Sequence, residues 1–227
     1  MRIRTLAAVG LLAGMSTLSA LTQAATVQVT VLARDGKPLP DAVVVLETTD
    51  GRAVPVPPPT THTITQERMQ FVPTVSVVPA GTRVTFTNLD RWDHHVRGGP
   101  AGLQGMGTAA AFEFRLAGAV QGQQAPSQVL TLDKAGPIQL GCHLHGSMRG
   151  FVYVADTPWA VRTGADGVAL LPQVPEGPMR LRVWHPDQLV EQAATTIEVQ
   201  PVTALSVPTQ IQPRRARRVT NETPSVY

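Results

Sequence analysis

The sequence predicts an all-β fold built as a β-sandwich, and three observations support this prediction. Short runs of alternating apolar and polar residues recur along the chain, Gly and Pro separate them, and no stretch shows the periodicity of an amphipathic helix. The 227 residues include 19 Gly and 20 Pro, which implies many turns between short elements. Hydrophobic residues make up 43% and charged residues 15% of the chain, so its composition is that of a folded protein rather than a disordered one.

The first segment, residues 1–24, reads as a secretory signal peptide. Two arginines precede an apolar stretch from Leu6 to Leu21, and small residues lie before a cut after Ala24, as in signal peptides. The apolar stretch is shorter than the ~20 residues of a membrane-spanning helix. We therefore expect a periplasmic protein without stable membrane insertion after cleavage, with an uncleaved N-terminal anchor as the alternative.

The strands of the mature chain fall into two groups separated by prolines. Residues 26–32 alternate, Asp35 and Gly36 form a turn, and residues 42–46 make a second strand. Four prolines among residues 55–59 then indicate a stiff connection. Further strands are predicted at these places: 70–72, 75–78, 83–87, 112–116, 128–132, 138–140, 151–154, 168–171, 179–184 and 196–199. The segments 98–111 and 117–126, rich in Gly, Ala and Gln, are expected to be loops.

Charge excludes one class of partner. The net charge of +3 comes from the chain ends, since residues 25–212 contain 13 Lys+Arg against 15 Asp+Glu, a net of −2. A nearly neutral fold without a basic stripe predicts no nucleic-acid partner. Residues 213–227, with the run Arg214–Arg218, read as a basic disordered tail; docking to an acidic redox partner or a membrane surface is the alternative.

A cluster of possible metal ligands surrounds the only cysteine. Cys142 cannot form an internal disulfide in an exported protein, and His145 and Met148 follow it at three-residue spacing. A thiolate, imidazoles and a weak thioether suit copper that cycles between Cu(I) and Cu(II), although zinc would also fit a site with one Cys and two His. The second imidazole is expected from a distant strand, at His94 or His95.

These motifs resemble the cupredoxins, the family of plastocyanin, pseudoazurin and amicyanin. Residues 79–88 match the family's P-x-G-x-x-V-x-F-x-N strand, and the spacing from Cys142 to Met148 is similar to that of amicyanin. The resemblance spans about residues 64–156 and implies a Greek-key β-sandwich with one copper ion held by His94, Cys142, His145 and Met148. The same span is similar to exported proteins associated with methylamine utilisation.

The resemblance also leaves two positions that differ from the family. Plastocyanin-like proteins have Asn after the ligand His and Ser or Thr after the ligand Cys, whereas this chain has His95 and His143. His94 is favoured as the ligand because Val96 lies on its face of an extended strand. We expect the His95 and His143 rings either to lie near each other and tune the site or to face solvent separately.

A second resemblance concerns the rest of the mature chain. Residues 27–46 and 163–186 look like two halves of the transthyretin-like modules also called carboxypeptidase regulatory domains. They predict that residues 25–55 and 157–205 form one small β-sandwich, with the cupredoxin domain inserted in it or packed beside it. Trp184 and His185 are expected to be packed or rim residues rather than catalytic ones.

The resemblance implies a function that is not enzymatic. It implies a periplasmic mononuclear type 1 (blue) copper protein that carries single electrons between redox proteins, with an unidentified partner. The alternatives are a copper carrier or storage protein and a structural β-protein with an accidental motif. Multicopper oxidases and copper nitrite reductases need more ligands than one Cys and six His, so an enzyme is not expected.

Overall fold

The computed structural model describes residues 24–51, 54–102, 109–188 and 190–214. The predicted signal peptide, apart from Ala24, and most of the predicted basic tail lie outside this range. Within it the secondary structure is β, which confirms the predicted fold class. No helix among the described residues has the length and apolar character needed to cross a membrane.

The strands are short and are joined by turns. In chain order they are β1 (Ala24–Leu32), β2 (Val43–Thr48), β3 (Thr61–Glu67), β4 (Gln70–Val72), β5 (Val75–Pro79), β6 (Thr82–Asn88), β7 (His94–Pro100), β8 (Phe112–Leu116), β9 (Ser127–Leu132), β10 (Gly136–Cys142), β11 (Arg149–Ala155), β12 (Ala160–Arg162), β13 (Val168–Pro175), β14 (Gly177–Trp184), β15 (Thr195–Val199) and β16 (Val202–Pro208).

The first sandwich combines strands from both ends of the described chain. One sheet has the order β13-β1-β16 and the other the order β12-β2-β14-β15. The alternating burial of β1 shows why these residues form a half-buried strand, since Val27, Val29 and Val31 face inward between exposed polar neighbours. Their side chains pack with those of β2, β13 and β14 in one hydrophobic core. The chain thus leaves this sandwich after β2 and returns to it at β12.

The second sandwich is built by β3 to β11. Its sheets have the orders β5-β11-β10-β7-β8 and β4-β3-β6-β9. Ile64, Phe86 and Val96 are among the fully buried side chains of its core, which also contains Cys142 and Met148. The cysteine is therefore part of the apolar interior at one end of the sandwich.

Strand β11 joins the two sandwiches because both of its faces are buried. Val152 and Val154 point into the second core, whereas Phe151 and Tyr153 point the other way. There they meet Trp184 of the first sandwich at ring-centroid distances of 5.8 Å each. The run of apolar residues in β11, which lacks alternation, is typical of a strand covered on both sides.

The structure corrects parts of the strand prediction. Strands β3, β12 and β16 were not predicted, and β7 extends to Pro100 into the segment 98–111 that was expected to be a loop. At the start of the predicted disordered tail, the backbone N–H of Arg214 donates to Asp187 Oδ2 at 2.8 Å. β12 has three residues, too few for a pattern to show, and β3 has one apolar residue, Ile64, among polar ones.

Candidate metal centre

Two neighbouring strands place the thiol and the first imidazole. Cys142 is the last residue of β10 and lies opposite Val96 of the antiparallel strand β7. His94 begins β7, two residues from Val96, so both side chains point to the buried face of the sheet. The side chains of His94 and Val96 are fully buried. A backbone hydrogen bond of 3.0 Å from His143 N–H to the His95 carbonyl extends the pairing past Cys142 and fixes the two strand ends relative to each other.

Three potential ligand atoms converge at this end of the sandwich. The Sγ of Cys142 lies 3.8 Å from His94 Nδ1 and 3.6 Å from His145 Nδ1. The two Nδ1 atoms are 3.1 Å apart. Among the described residues these three form a group that could hold a metal ion. The predicted residues His94, Cys142 and His145 are thus brought together, whereas His95 lies outside the group.

The dimensions of this triangle suit a single metal ion. Metal–imidazole distances of about 2.0–2.1 Å and a metal–thiolate distance of about 2.3 Å separate neighbouring ligand atoms by about 3.3–3.8 Å. The three observed separations lie close to that range. The donor set is one thiol and two imidazoles in a largely apolar surrounding, so the residues present fit a copper or zinc ion.

Met148 lies at the same end of the sandwich. It is 2% exposed and belongs to the same hydrophobic core as Cys142. The turn between β10 and β11 places it, and its backbone N–H donates to the His145 carbonyl at 2.9 Å. This turn therefore links the thioether residue to the second imidazole residue through the backbone.

A buried carboxylate sets the orientation of the His94 ring. Oδ2 of Asp90 lies 3.0 Å from His94 Nε2, and both side chains are buried. A carboxylate acceptor at Nε2 places the imidazole proton there and leaves the Nδ1 lone pair directed at the thiol. Hydrogen bonds of this kind orient metal-ligating histidines and increase their basicity.

Asp90 is itself held by two further segments. Its carboxylate accepts hydrogen bonds from the backbone N–H groups of Arg68 and Met69 at 2.6 and 2.8 Å. Both of these residues have positive φ angles, 53° and 56°, so the turn between β3 and β4 adopts the left-handed conformation that directs its N–H groups at Asp90. The Asp90 carboxylate therefore connects the β3–β4 turn to His94 at the start of β7.

The buried side chain of Asn88 organises that loop. Its Nδ2 donates to the carbonyls of Trp92 and Ala117, each at 2.8 Å, and its Oδ1 accepts from the Asp90 N–H at 2.9 Å. The last residue of β6 therefore shapes the whole connection to His94. In the sequence Asn88 appears only as the last residue of the matched strand motif. The position of Asp90 four residues before the expected ligand His94 was the available sign of its role.

His145 differs from His94 in exposure. Its ring is partly exposed, next to Leu144, which is 49% exposed. Burial, and after it the positive potential of the neighbouring His94, lowers the pKa of His145 below the ordinary value for histidine. A lowered pKa keeps the ring neutral at neutral pH, which is the form that binds a metal.

His95 and His143 lie together on the other face of the sheet. Their ring centroids are 5.0 Å apart, so of the two arrangements considered, the one with neighbouring rings is found. Trp184 and His185 take the packed positions expected for them. The Trp184 ring contacts Phe151 and Tyr153, and His185 Nε2 donates to the Pro40 carbonyl.

Comparison with solved structures finds copper proteins. A reduced variant of amicyanin is 25% identical over 41% of this chain and 80% of its own, with a TM-score of 0.33. A purple cupredoxin from Nitrosopumilus maritimus is 18% identical over 41% of this chain and 98% of its own, with a TM-score of 0.31. No protein-family model and no curated protein matches the chain. Because both TM-scores are below 0.5, a metal site is indicated here by the donor atoms themselves.

Proposed function

We propose that this protein is a periplasmic type 1 copper protein that carries single electrons between redox proteins. The observation that supports it best is the distance of 3.6–3.8 Å from the Sγ of the only cysteine to two imidazole nitrogens. His94, Cys142 and His145 would hold the ion, with Met148 as a weak fourth ligand. Copper, when bound, supplies a one-electron couple between Cu(I) and Cu(II).

The ligand set favours copper over zinc. Thiolate and thioether sulfur stabilise Cu(I), and imidazoles suit both oxidation states. A structural zinc site has four strong Cys or His ligands, and the group found among the described residues has three. The thioether of Met148, in the same core cluster as Cys142, is a soft donor that could act as the weak fourth ligand.

The protein itself would keep the ligands fixed during a change of charge. Asp90 holds the His94 ring, β10 and β7 hold Cys142, and the buried core surrounds Met148. Ligands that cannot rearrange keep the structural change between oxidation states small. The partly exposed His145, beside the exposed apolar Leu144, would give electrons a route to a docked partner.

The experiment is to add one equivalent of Cu(II) to the purified full chain and record its visible absorption. We expect an intense thiolate-to-copper band that a mild reductant bleaches and an oxidant restores. Cys142→Ser should abolish the band, while Met148→Leu should retain it with a changed midpoint potential, since the axial ligand tunes the potential. A pale complex, or a band that Cys142→Ser retains, would contradict the proposal.

The first sandwich would be the transthyretin-like module of this protein. Two features favour this: residues 24–48 and 160–208 contribute strands to the same two sheets, and their side chains share one core. The copper-binding unit would then be inserted between β2 and β12. The module would serve as a scaffold that packs against β11.

Copper carriage without electron transfer is the second candidate. It is favoured by the His95–His143 pair, whose rings lie together on the opposite face of the sheet from the proposed copper site and could offer further ligands. A reversible midpoint potential with fast electron exchange would support the first candidate. Transfer of copper to an acceptor chelator without a reversible couple would support the second.

A further inference from the structure

The solvent-facing side of β7, β8 and β10 bears a second group of potential metal ligands. His95 follows His94 in β7, and His143 follows Cys142 at the end of β10. Adjacent residues of an extended strand point to opposite faces, so each of these histidines lies across the sheet from a residue of the buried site. Glu113 of β8 is the third member of this group.

The two imidazoles have the spacing of a shared ligand pair. The ring centroids of His95 and His143 are 5.0 Å apart with an interplanar angle of 50°. For His94 and His145 in the buried site the corresponding values are 4.9 Å and 66°. Two imidazoles bound to one ion at about 2.0–2.1 Å have centroids about 4.5–5.5 Å apart. This separation permits both rings to bind one ion after rotation of the side chains.

A carboxylate completes the group. Oε2 of Glu113 lies 3.8 Å from His143 Nε2, and the side chains of Glu113 and His143 are 55% and 46% exposed. Exposed side chains can adjust by rotation, and water can fill the remaining coordination positions. Arg115, which lies opposite His95 in register, forms an ion pair with Asp93 at 2.7 Å.

The backbone beneath the group is fixed. His143 N–H donates to the His95 carbonyl at 3.0 Å, and β8 pairs with β7 so that Glu113 lies opposite Arg97, two residues from His95. The three side chains therefore start from neighbouring positions of one sheet. Preorganised ligands of this kind reduce the entropy that metal binding costs.

We propose that His95, His143 and Glu113 form a second, surface metal site that binds Cu(II). Two imidazoles, a carboxylate and water are nitrogen and oxygen donors, which suit tetragonal Cu(II), and Cu(II) binds such sites more tightly than other divalent first-row ions. Zn²⁺ is the main competitor. The site goes beyond the electron-transfer proposal and does not depend on it, because none of its ligands belongs to the thiolate site.

The test uses a protein from which the buried thiolate site has been removed. The untagged full chain with Cys142→Ala and His145→Ala serves as the background, and Cu(II) binding is followed by calorimetry and electron paramagnetic resonance. We expect one Cu(II) per chain with a tetragonal nitrogen–oxygen spectrum. His95→Gln with His143→Gln should weaken binding more than about 100-fold, since even outer partners of a ligand contribute about 10–100-fold.

Controls distinguish this site from other copper-binding histidines. His62 is bonded to Ser76 at 2.9 Å and belongs to no such group, so His62→Gln should leave the affinity unchanged. Glu113→Gln should weaken binding by less than the histidine changes. If His95→Gln with His143→Gln leaves the affinity and the spectrum unaltered, the second site does not exist.

A second measurement covers the case in which a variant does not fold. In the background protein, Cu(II) below one equivalent should broaden the ring resonances of His95 and His143 before those of other histidines. Broadening that begins at His62 or His185 would overturn the inference. Failure of the electron-transfer proposal would be seen separately, as absence of the thiolate band in the unsubstituted protein.

Discussion

His94 Nε2 and Asp90 Oδ2 lie 3.0 Å apart in a pair that is almost completely buried. The same carboxylate is fixed by the N–H groups of Arg68 and Met69. One side chain thus determines which nitrogen of His94 faces the thiol. Asp90 is therefore part of the candidate metal site through its hydrogen bond to His94.

Replacing this carboxylate should change the redox properties of a bound copper ion. Asp90→Asn keeps one acceptor oxygen, replaces the other with an NH2 group and removes a negative charge next to His94. Without that charge Cu(I) gains stability relative to Cu(II). We expect a higher midpoint potential and a Cu(II) affinity lower by about 10–100-fold. Voltammetry and competition with a chelator measure both quantities.

The control is Asp93→Asn, because the Asp93 side chain is 41% exposed and paired with Arg115. Its charge is screened by solvent and by that cation. Asp93→Asn should leave the midpoint potential of the bound copper nearly unchanged. Equal potentials for Asp90→Asn and the unsubstituted protein would show that the carboxylate does not tune the site.

Loss of the Asn88 side chain should destabilise the fold. Asn88→Ala leaves the carbonyls of Trp92 and Ala117 and the N–H of Asp90 without this buried partner. Unpaired buried groups cost about 1–3 kcal/mol each, and partial hydration relieves some of that cost, so we expect a loss of about 2–4 kcal/mol. Urea unfolding of the metal-free protein measures it.

An exposed amide provides the comparison for Asn88. Gln128 is exposed and donates only to the carbonyl of its neighbour Val129. Gln128→Ala should change the free energy of unfolding by no more than about 0.5 kcal/mol. Similar losses for the two variants would contradict the organising role of Asn88.

The amide of Gln66 should be replaceable with a gain in stability. Gln66 is fully buried, and among the described residues its Nε2 and Oε1 have no hydrogen-bond partner. Gln66→Leu removes an unpaired buried amide, which costs about 1–3 kcal/mol. We expect a stabilisation of about 1 kcal/mol in urea unfolding, after some repacking cost. A destabilisation of more than 1 kcal/mol would mean that the amide is bound.

His185 should make the stability of the protein depend on pH. Its Nε2 faces the Pro40 carbonyl at 3.2 Å and its Nδ1 accepts the Asp187 N–H at 3.0 Å, so the neutral ring is satisfied at both nitrogens. Burial lowers the pKa of His185, an effect that the nearby Asp187 partly offsets. Below about pH 6.5 the unfolded chain binds a proton that the folded protein excludes.

The free energy of unfolding should therefore fall as the pH decreases below about 6.5, by up to about 1.4 kcal/mol per pH unit for this group. Above that pH the ring is neutral in both states and has no such effect. In His185→Gln the slope should be smaller, though still present, because burial also lowers the pKa of His62. Denaturant unfolding between pH 5 and pH 8 tests this. An unchanged slope would contradict it.

Much of the fold could be predicted because local pattern and tertiary environment agree. Alternation in β1 matches its one buried face, and the unbroken apolar run of β11 matches burial on both faces. The packing partners of β11 could not be predicted, because the hydrophobicity of Phe151 indicates that it is buried but does not indicate which residue covers it. The structure shows that the covering residue is Trp184, which lies 33 residues later in the chain.

The candidate site shows the same division. The spacing of Cys142, His145 and Met148 is local, so the sequence reveals it, and the placement of His94 follows from the face shared with Val96. Asp90 was missed because an acidic residue in a turn is commonly a surface residue. Its role depends on the N–H groups of another turn, at Arg68 and Met69, whose approach is a property of the folded chain.

X-ray absorption at the copper edge of the protein loaded with one equivalent of copper tests the central claim most directly. Copper bound at the buried site predicts one sulfur and two imidazole nitrogens in the first coordination shell, and loss of the sulfur in Cys142→Ser. A spectrum from one equivalent of copper with nitrogen and oxygen neighbours and no sulfur would contradict it.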